Sequence, residues 1–170
     1  MKDMYSVDRA FEILRACFAN GNTLYLCGNG GSAADCNHIA AEFIKGMNRN
    51  TTGLAAVSMC GNVAAITAIA NDIGYEWIFS QQLYACAIEG DVLLAISTSG
   101  KSKNVINALK QAREISVKTI GLTGPNPGDD FLKYCDLVVS CPGANASEIQ
   151  EQHIKVYHEL CRRLEEEFFP

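Results

Sequence analysis

Five short segments of the chain are apolar throughout, and each is separated from the next by a stretch with helical periodicity. Strands that are apolar on both faces belong to parallel sheets, because crossover connections lay helices over each face. The pattern therefore predicts an α/β fold, a three-layer α/β/α sandwich around a five-stranded parallel sheet. The expected strands are residues 23–27, 54–59, 91–97, 117–123 and 136–142.

The stretches between the strands have apolar residues at helical spacing. Asn20 and Gly21 are expected to end the first helix, and Ser32 to cap the start of the second. The sequence GPNPGDD after the fourth strand is rich in turn residues, and no helix is expected there. The expected helices cover residues 7–19, 32–47, 62–72, 75–88, 102–115 and 147–167. A chain of 170 residues has the length of one domain, which we expect to span residues 1–170.

Charge and hydropathy exclude several classes of function. The 19 acidic residues outnumber the 14 basic ones, and the net charge of -5 argues against a nucleic-acid partner. No apolar run reaches the roughly 18–20 residues of a membrane-spanning helix. The polar sequence KDMYSVDR follows Met1 where a signal peptide would have an apolar core. We therefore expect a cytoplasmic protein with neither a nucleic-acid nor a membrane partner.

The eight cysteines stand at uneven spacings without a CxxC pair, which argues against a disulfide scaffold. Cys27 and Cys86 lie in apolar runs, LYLC and LYACAI. A thiol in such a run behaves as a small hydrophobic side chain. We expect both to be buried and reduced.

The loops after the first and third strands have the composition of an anion site. Ligands of open parallel sheets bind beyond the carboxyl ends of the strands, where consecutive connections leave in opposite directions. A strand order of 2-1-3-4-5, as in flavodoxin, would bring together the loops GNGGS (28–32) and STSGKS (97–102). Both loops open onto helices, whose N-termini attract anions. The alternative is that the second loop only caps its helix.

Two nucleotide-binding motifs are nearly matched and are rejected. GNGGSA fits G-x-G-x-x-A, but the second strand ends in Val57, Ser58 and Met59 rather than in the acidic residue that would hold the ribose. STSGKS would be a P-loop only with a glycine at position 95, which is Ala95. A cluster of hydroxyl groups suits one phosphate monoester better than a polyphosphate with magnesium.

Acid–base groups occur on two of the predicted helices. His38 and Glu42 are four residues apart, so their side chains point the same way and could share a metal or a substrate. Gln150, His153 and His158 lie on the last helix, where a lone histidine would more often be structural. Gln150 and His158 are separated by a rise of about 12 Å and a turn of about 80°, which is the limit of reach for one ion. Either that helix starts irregularly, or two copies of it contribute to a site at a subunit interface.

The segments GNGGSAADCNHIAAEF, NDIG, GDVLLAISTSGKSKNV and EIQEQHIKVYHEL together resemble the phosphoheptose isomerases, members of the SIS (sugar isomerase) superfamily. The resemblance runs from about residue 10 to residue 167. It implies conversion of D-sedoheptulose 7-phosphate into D-glycero-D-manno-heptose 7-phosphate, through an enediol, on the route to nucleotide-activated heptose. It also implies one Zn²⁺ per subunit and a homotetramer.

The resemblance also implies roles for particular residues. The implied zinc ligands are His38, Glu42, Gln150 and His158, of which Glu42 and His158 also form the acid–base pair. The implied substrate contacts are Asn29, Gly30, Gly31, Ser32, Glu42, Asn71, Asp72, Ser97, Thr98, Ser99, Ser102 and Gln150. We expect Glu42 to act as the base at carbon and His158 as the acid at oxygen.

The chain departs from the family pattern in three respects. Two other functions also stay open. Ser147 replaces an acidic residue, Gly46 replaces an arginine, and the chain begins about one helix later than the family usually does. One alternative is a non-catalytic SIS protein that binds the replication initiator; the other is a SIS isomerase of a hexose phosphate. Apolar strips on the first helix (Phe11, Leu14, Phe18) and last helix (Ile154, Leu160, Leu164) would either face partner copies or cover the sheet.

Overall fold

The computed structural model describes the backbone of residues 2–170 and the side chains from residue 6 onward. Its strands are β1 (Leu24–Gly28), β2 (Ala56–Ser58), β3 (Val92–Ser97), β4 (Lys118–Thr123) and β5 (Leu137–Ser140). Its helices are α1 (Lys2–Ala19), α2 (Gly31–Lys45), α3 (Val63–Asp72), α4 (Ser80–Cys86), α5 (Lys103–Glu114), α6 (Asp129–Tyr134) and α7 (Ala146–Phe168). A 3₁₀ turn at Tyr75–Trp77 precedes α4.

The strands form one sheet in the order β2-β1-β3-β4-β5, and every pair is parallel. The register pairs Gly28 at the end of β1 with Ile96 near the end of β3. The chain leaves β1 toward β2 and leaves β3 toward β4, in opposite directions across the sheet. The predicted fold class and strand order are confirmed, and the switch point lies between β1 and β3.

Alternate side chains of the strands pack into two separate cores. Leu24 and Leu26 of β1 belong to the core beneath α1, α2 and α7, whereas Tyr25 and Cys27 belong to the core beneath α4, α5 and α6. A parallel strand covered on both faces is therefore buried at every position, as β1 and β3 are. The three layers follow directly from the continuous apolar runs.

The apolar strips of α1 and α7 cover the sheet. Phe11, Leu14 and Phe18 are all buried in the first core, and so are Leu160 and Leu164, with Ile154 packed against them. Of the two interpretations of these strips, burial within one chain is the one that the structure bears out.

Two elements differ from the sequence prediction. Helix α6 was not expected, because the glycine and proline residues of GPNPGDD obscure the start of a short helix whose Phe131 is fully buried. Asp129 and Asp130 lie in its first turn, where acidic side chains favour the helix dipole. The predicted helix over residues 75–88 is two elements, because Ile78 and Phe79 anchor the junction between the 3₁₀ turn and α4 in the second core.

Two local predictions are wrong. Gly30 rather than Ser32 stands at the N-cap of α2, since the helix already begins at Gly31 and Ser32 is buried within its first turn. Cys27 is buried as expected, but Cys86 is exposed. It ends the seven-residue helix α4, which buries only Ser80 and Leu83 and presents its other side to solvent. Over the described residues, no cysteine forms a disulfide bond.

Over the described residues, the chain has no helix that combines the length and the apolar character needed to cross a lipid bilayer.

Candidate functional site

The loops that follow β1 and β3 lie side by side at the carboxyl edge of the sheet. Asn29, one residue after β1, exchanges two hydrogen bonds with Asn104 in the first turn of α5. Both N···O distances are 2.8 Å, although the two residues are 75 positions apart in the chain. The predicted meeting of GNGGS with STSGKS is thus observed.

The STSGKS loop folds around its own hydroxyl groups. The Ser97 hydroxyl oxygen accepts a hydrogen bond from the Gly100 amide at 3.1 Å and lies 3.3 Å from the Ser102 hydroxyl oxygen. The Ser99 hydroxyl accepts from the Lys101 amide at 3.2 Å, and Thr98 is half-buried between them. Ser102 occupies the N-cap of α5 but makes no side-chain capping bond. The loop therefore does more than cap a helix: it holds several hydroxyls beside the free amides of a helix N-terminus.

The GNGGS loop is closed on one side by Gln150. A Cβ added to Gly31 would collide with the amide group of Gln150, which lies directly against this position. The glycine is required here for close approach of the α7 side chain, not for an unusual backbone angle. Ser32 is buried one position further on, and Gly30 is exposed at the mouth of the loop.

Three acid–base side chains meet where α2 and α7 pack together. His38 Nε2 and Glu42 Oε1 are 3.2 Å apart, and the His38 and His158 rings have their centroids 5.2 Å apart with their planes at 83°. The second carboxylate oxygen of Glu42, Oε2, is buried and has no hydrogen-bond partner. An unpartnered buried carboxylate oxygen is costly, which is typical of a site that binds a further group.

A carboxylate that the sequence analysis did not single out connects this group to Gln150. Asp35 is 5% exposed and accepts hydrogen bonds from Gln150 Nε2 at 3.0 Å and from the Tyr157 hydroxyl at 3.4 Å. The Tyr157 hydroxyl also lies 3.2 Å from His38 Nδ1. Burial raises the pKa of Asp35, although the bonds from Gln150 and Tyr157 oppose that effect. The spacing of Asp35, three residues before His38 on the same face of α2, was the signal that could have found it.

Gln150 itself is not placed beside Glu42. Its amide is bonded to Asp35, which precedes Glu42 by seven residues, or roughly 10 Å of helix rise. Helix α7 is regular from Ala146, so the irregular start that would have let one chain supply both Gln150 and His158 does not occur.

His38 and Glu42 supply two donor atoms that could bind one metal ion. Two ligands of one tetrahedral zinc ion lie roughly 3.3 Å apart when the bonds are about 2.0–2.1 Å long. The separation of 3.2 Å between His38 Nε2 and Glu42 Oε1 matches this spacing, and imidazole and carboxylate are ligands that zinc accepts. Among the described residues, however, no group of three or more His, Cys, Asp or Glu side chains is arranged to hold a metal. The pair fits zinc, whereas a complete set of ligands is not assembled.

Asn71 and Asp72 end α3 and are exposed. Asn71 Nδ2 donates to Asp72 Oδ1 at 2.7 Å, so the two side chains form one polar unit. Three residues later the Tyr75 hydroxyl donates to Asn29 Oδ1 at 2.9 Å, which attaches this segment to the GNGGS loop. The third predicted substrate segment is therefore attached to the GNGGS loop through Tyr75.

His153 does not belong to the site. It is fully buried, and neither ring nitrogen has a hydrogen-bond partner of good geometry. Burial lowers its pKa, an effect opposed by the nearby Thr123 backbone and the charge of Asp35. The structural interpretation of a lone helical histidine applies to this residue.

Comparison with known proteins shows which family the chain belongs to. The SIS domain family matches residues 2–124. A phosphoheptose isomerase from Aliarcobacter butzleri is 44% identical over 161 residues, which are 95% of this chain and 85% of the relative. One from Campylobacter jejuni is 41% identical, with 95% and 87% of the two chains covered.

Solved structures are similar over the same length. A phosphoheptose isomerase from Neisseria gonorrhoeae has a TM-score of 0.88 at 40% identity, covering 95% of this chain and 86% of its own. One from Francisella tularensis has a TM-score of 0.90 at 32% identity, covering 95% and 85%. The chain belongs to the phosphoheptose isomerase family. It is a phosphosugar isomerase with a SIS fold.

The two side-chain departures from the usual phosphoheptose isomerase pattern have structural settings. Gly46 is buried at the end of α2 with φ of 91°, a conformation that a residue with a side chain adopts only under strain. Ser147 is exposed in the first turn of α7. The carboxylate of the neighbouring Glu148 is already used at the start of this helix, where it accepts a hydrogen bond from the Ala144 amide at 2.9 Å. An arginine at position 46 would not fit this backbone, and Glu148 does not replace the missing acid.

Proposed function

We propose that this protein interconverts D-sedoheptulose 7-phosphate and D-glycero-D-manno-heptose 7-phosphate, and so supplies the precursor of nucleotide-activated heptose. The observation that carries the proposal is the meeting of Glu42, His38 and His158 on α2 and α7, with α2 beginning inside the GNGGS loop. The names of the similar isomerases support the substrate class. We propose that the reaction takes place in the cytoplasm.

Moving a carbonyl group between C2 and C1 needs one group that removes a proton from carbon and another that serves oxygen. Glu42 suits the first task, because His38 holds Oε1 while Oε2 is free of partners. His158 lies next to this pair and carries a ring nitrogen that can give or accept a proton at the sugar oxygens. Both steps pass through an enediol of the substrate.

Substrate binding is divided between the loops. The hydroxyls of Ser97, Thr98, Ser99 and Ser102 and the first amides of α5 would bind the phosphate. Gly30, Gly31 and Ser32 would line the sugar, together with the amide of Gln150 and the Asn71–Asp72 unit. The net charge of -5 makes this local concentration of amides and hydroxyls necessary, since the protein as a whole repels an anionic substrate.

A zinc ion remains part of the proposal. His38, Glu42 and His158 would hold it, with Gln150 as the fourth ligand. Bound there, zinc would polarise the carbonyl group and stabilise negative charge on the substrate oxygens. Because Gln150 is held by Asp35 within this chain, we propose that the complete site forms only at an interface between copies.

A homo-oligomer, and specifically a tetramer, is supported by the surface of α3. This helix is strongly apolar yet has no buried residue. Val63 at its start and Ile73 at its end are exposed, and so is Trp77 in the 3₁₀ turn that contacts it. Surfaces of this kind on one chain are typical of contacts between subunits.

The proposed function is tested by incubating the purified protein with D-sedoheptulose 7-phosphate and following anomeric protons by NMR. A new heptose signal that a chelator abolishes and zinc restores is the expected result. A heptose signal that does not change on chelation would support the isomerase activity but show that the reaction does not need zinc. A folded oligomer that gives no signal with this substrate, but does react with a hexose phosphate, contradicts the proposed substrate. Inactivity toward both favours the non-catalytic binding protein.

A further inference from the structure

The amide groups of Asn29 and Asn104 face each other as a closed pair. Each side chain donates one hydrogen bond to the other and accepts one, at 2.8 Å in both directions. Asn104 is 2% exposed, and its Oδ1 also accepts from the Val105 amide at 3.0 Å. A buried amide whose bonds are satisfied in this way has one orientation, because rotating it by 180° would oppose donor to donor.

Asn29 has little hydrogen-bonding capacity left for a substrate. Its Oδ1 accepts from both Asn104 Nδ2 and the Tyr75 hydroxyl, which fills the two acceptor positions of an amide oxygen. Only one N–H of its Nδ2 is uncommitted. The side chain of Asn29 is thus mainly a point of attachment for its loop, and the loop presents its backbone and Gly30 and Gly31 to the pocket.

The same group of bonds joins all three segments predicted to contact substrate. Asn29 lies in GNGGS, Asn104 is two residues after STSGKS, and Tyr75 is three residues after the Asn71–Asp72 unit. A further bond, from Asn107 Nδ2 to the Glu76 carbonyl oxygen at 3.0 Å, connects α5 to the 3₁₀ turn a second time. Strand pairing holds only the first residue of each of the two loops, because Gly28 is the last residue of β1 and Ser97 the last of β3. The rest of both loops, and the segment from Asn71 to Tyr75, lie beyond the ends of the strands.

We infer that Asn104 is a positioning residue for catalysis: through Asn29 and Tyr75 it fixes the spacing between the phosphate-binding loop and the sugar-binding loop. This inference rests on the proposed function for its effect on turnover, but the contacts themselves do not. The phosphate and the reacting carbons of one substrate are bound by different loops, so a change in loop spacing misplaces the carbons relative to Glu42. A misplacement of about 1 Å can lower the rate by about 100-fold.

The experiment compares Asn104→Ala with Asn22→Ala. Asn22 is a matched control, because its amide also makes a long-range bond, to Asp91 Oδ1 at 3.3 Å, but at the opposite edge of the sheet. Asn104→Ala is expected to lower kcat/KM for D-sedoheptulose 7-phosphate by about 10- to 100-fold. It is also expected to raise amide hydrogen exchange in residues 28–32 and 71–77. Asn22→Ala should change neither measurement beyond twofold.

Tyr75→Phe keeps the test decisive if Asn104→Ala does not fold. Tyr75 is 55% exposed, and removing its hydroxyl deletes one bond to Asn29 without a change in the core. It should raise exchange in residues 28–32 and lower kcat/KM several-fold. A kcat/KM within twofold of wild type in the variants that fold, or unchanged exchange in residues 28–32, would overturn the inference. If the wild type itself does not isomerise the substrate, the proposed function fails, and exchange alone decides whether Asn104 positions the loops.

Discussion

Glu42 has two carboxylate oxygens in different surroundings, one held by His38 and one buried without a partner. Replacing it by glutamine keeps the size of the side chain but removes the base. We expect Glu42→Gln to lower kcat by a factor of about 10² to 10⁴, the usual contribution of general base catalysis. Steady-state kinetics with D-sedoheptulose 7-phosphate measures this, with Glu12→Gln on the exposed face of α1 as the control. Near-normal turnover of Glu42→Gln would show that another group removes the proton.

Cys60 is the cysteine with the most acidic thiol among those whose pKa is shifted. A hydrogen bond from the Cys36 thiol lowers its pKa to about 7, and the Gly28 carbonyl lies 3.4 Å from its sulfur. Since the thiolate is the reactive form, its alkylation rate should rise as pH increases through about 7. Iodoacetamide labelling with peptide mapping measures the rate, and Cys60→Ser should lose this phase. If labelling of Cys60 instead increases only above pH 8.5, the Cys36 bond does not stabilise the thiolate.

His38 and Glu42 could be paired from the sequence because their spacing places them on one helix face, whereas the role of His158 came from the resemblance to the phosphoheptose isomerases. The hydrogen-bond partners in the site could not be predicted, because they come from distant parts of the chain. Tyr157 contacts Asp35 across 122 positions, and Asn104 contacts Asn29 across 75. Single-sequence patterns carry the periodicity of one element, but not which side chains of two elements meet.

At the scale of elements, the end of α2 shows how the backbone restricts a side chain. A Cβ at Gly46 would collide with the Arg49 carbonyl oxygen, and φ there is 91°. We expect Gly46→Arg, the residue usual in the family, to lower the free energy of unfolding by about 1–3 kcal/mol. Urea denaturation measures this, with the exposed neighbour Lys45→Arg as the control. Unchanged stability of Gly46→Arg would show that the loop after α2 rearranges freely.

All five strands were predicted, whereas the short helices α4 and α6 were not predicted as separate helices, and α1 begins at Lys2 rather than at residue 7. Strand β3 and helix α5 each bury a continuous pattern long enough to specify its period. Helix α6 has six residues and one buried anchor, Phe131, so its turn residues outweigh its periodicity. Helix α3 was placed correctly, but periodicity alone could not show that Ile66 and Ile69 would be only partly buried against the second core while Val63 stays exposed.

At the scale of the whole molecule, His153 couples stability to pH. Burial lowers its pKa in the folded protein, so the unfolded chain takes up the proton first as pH falls below about 6.5. The free energy of unfolding should therefore be highest above pH 6.5 and decrease between pH 6.5 and 5. The nearby Asp35, whose pKa is raised, contributes in the opposite sense at lower pH.

Urea denaturation at pH 7.5 and 5.5 tests this coupling by comparing wild type with His153→Leu. The variant replaces the titrating ring with an apolar side chain at a fully buried position, so it should lose less stability than wild type on acidification. Equal losses in the two proteins would assign the pH dependence to other groups. Asp35, whose pKa is raised, is present in both proteins, so the difference between their losses reports on His153.

The exposed apolar side chains at the two ends of α3 bear on how copies of the chain assemble. Val63 is 67% exposed and Ile73 is 54% exposed, although each stands at an end of a helix whose composition is that of a protein core. If a partner copy covers this face, Val63→Asp with Ile73→Asp would bury unpaired carboxylates in the interface and dissociate it. Light scattering after size exclusion should show a tetramer for wild type and smaller species for the double variant. The control is the double variant Lys118→Asp with Lys133→Asp, on exposed residues of β4 and α6, which should remain tetrameric.

Since the proposed zinc site needs Gln150 from a second copy, dissociation should also abolish metal binding. A double variant that is monomeric yet binds zinc as tightly as wild type would place the whole site within one chain.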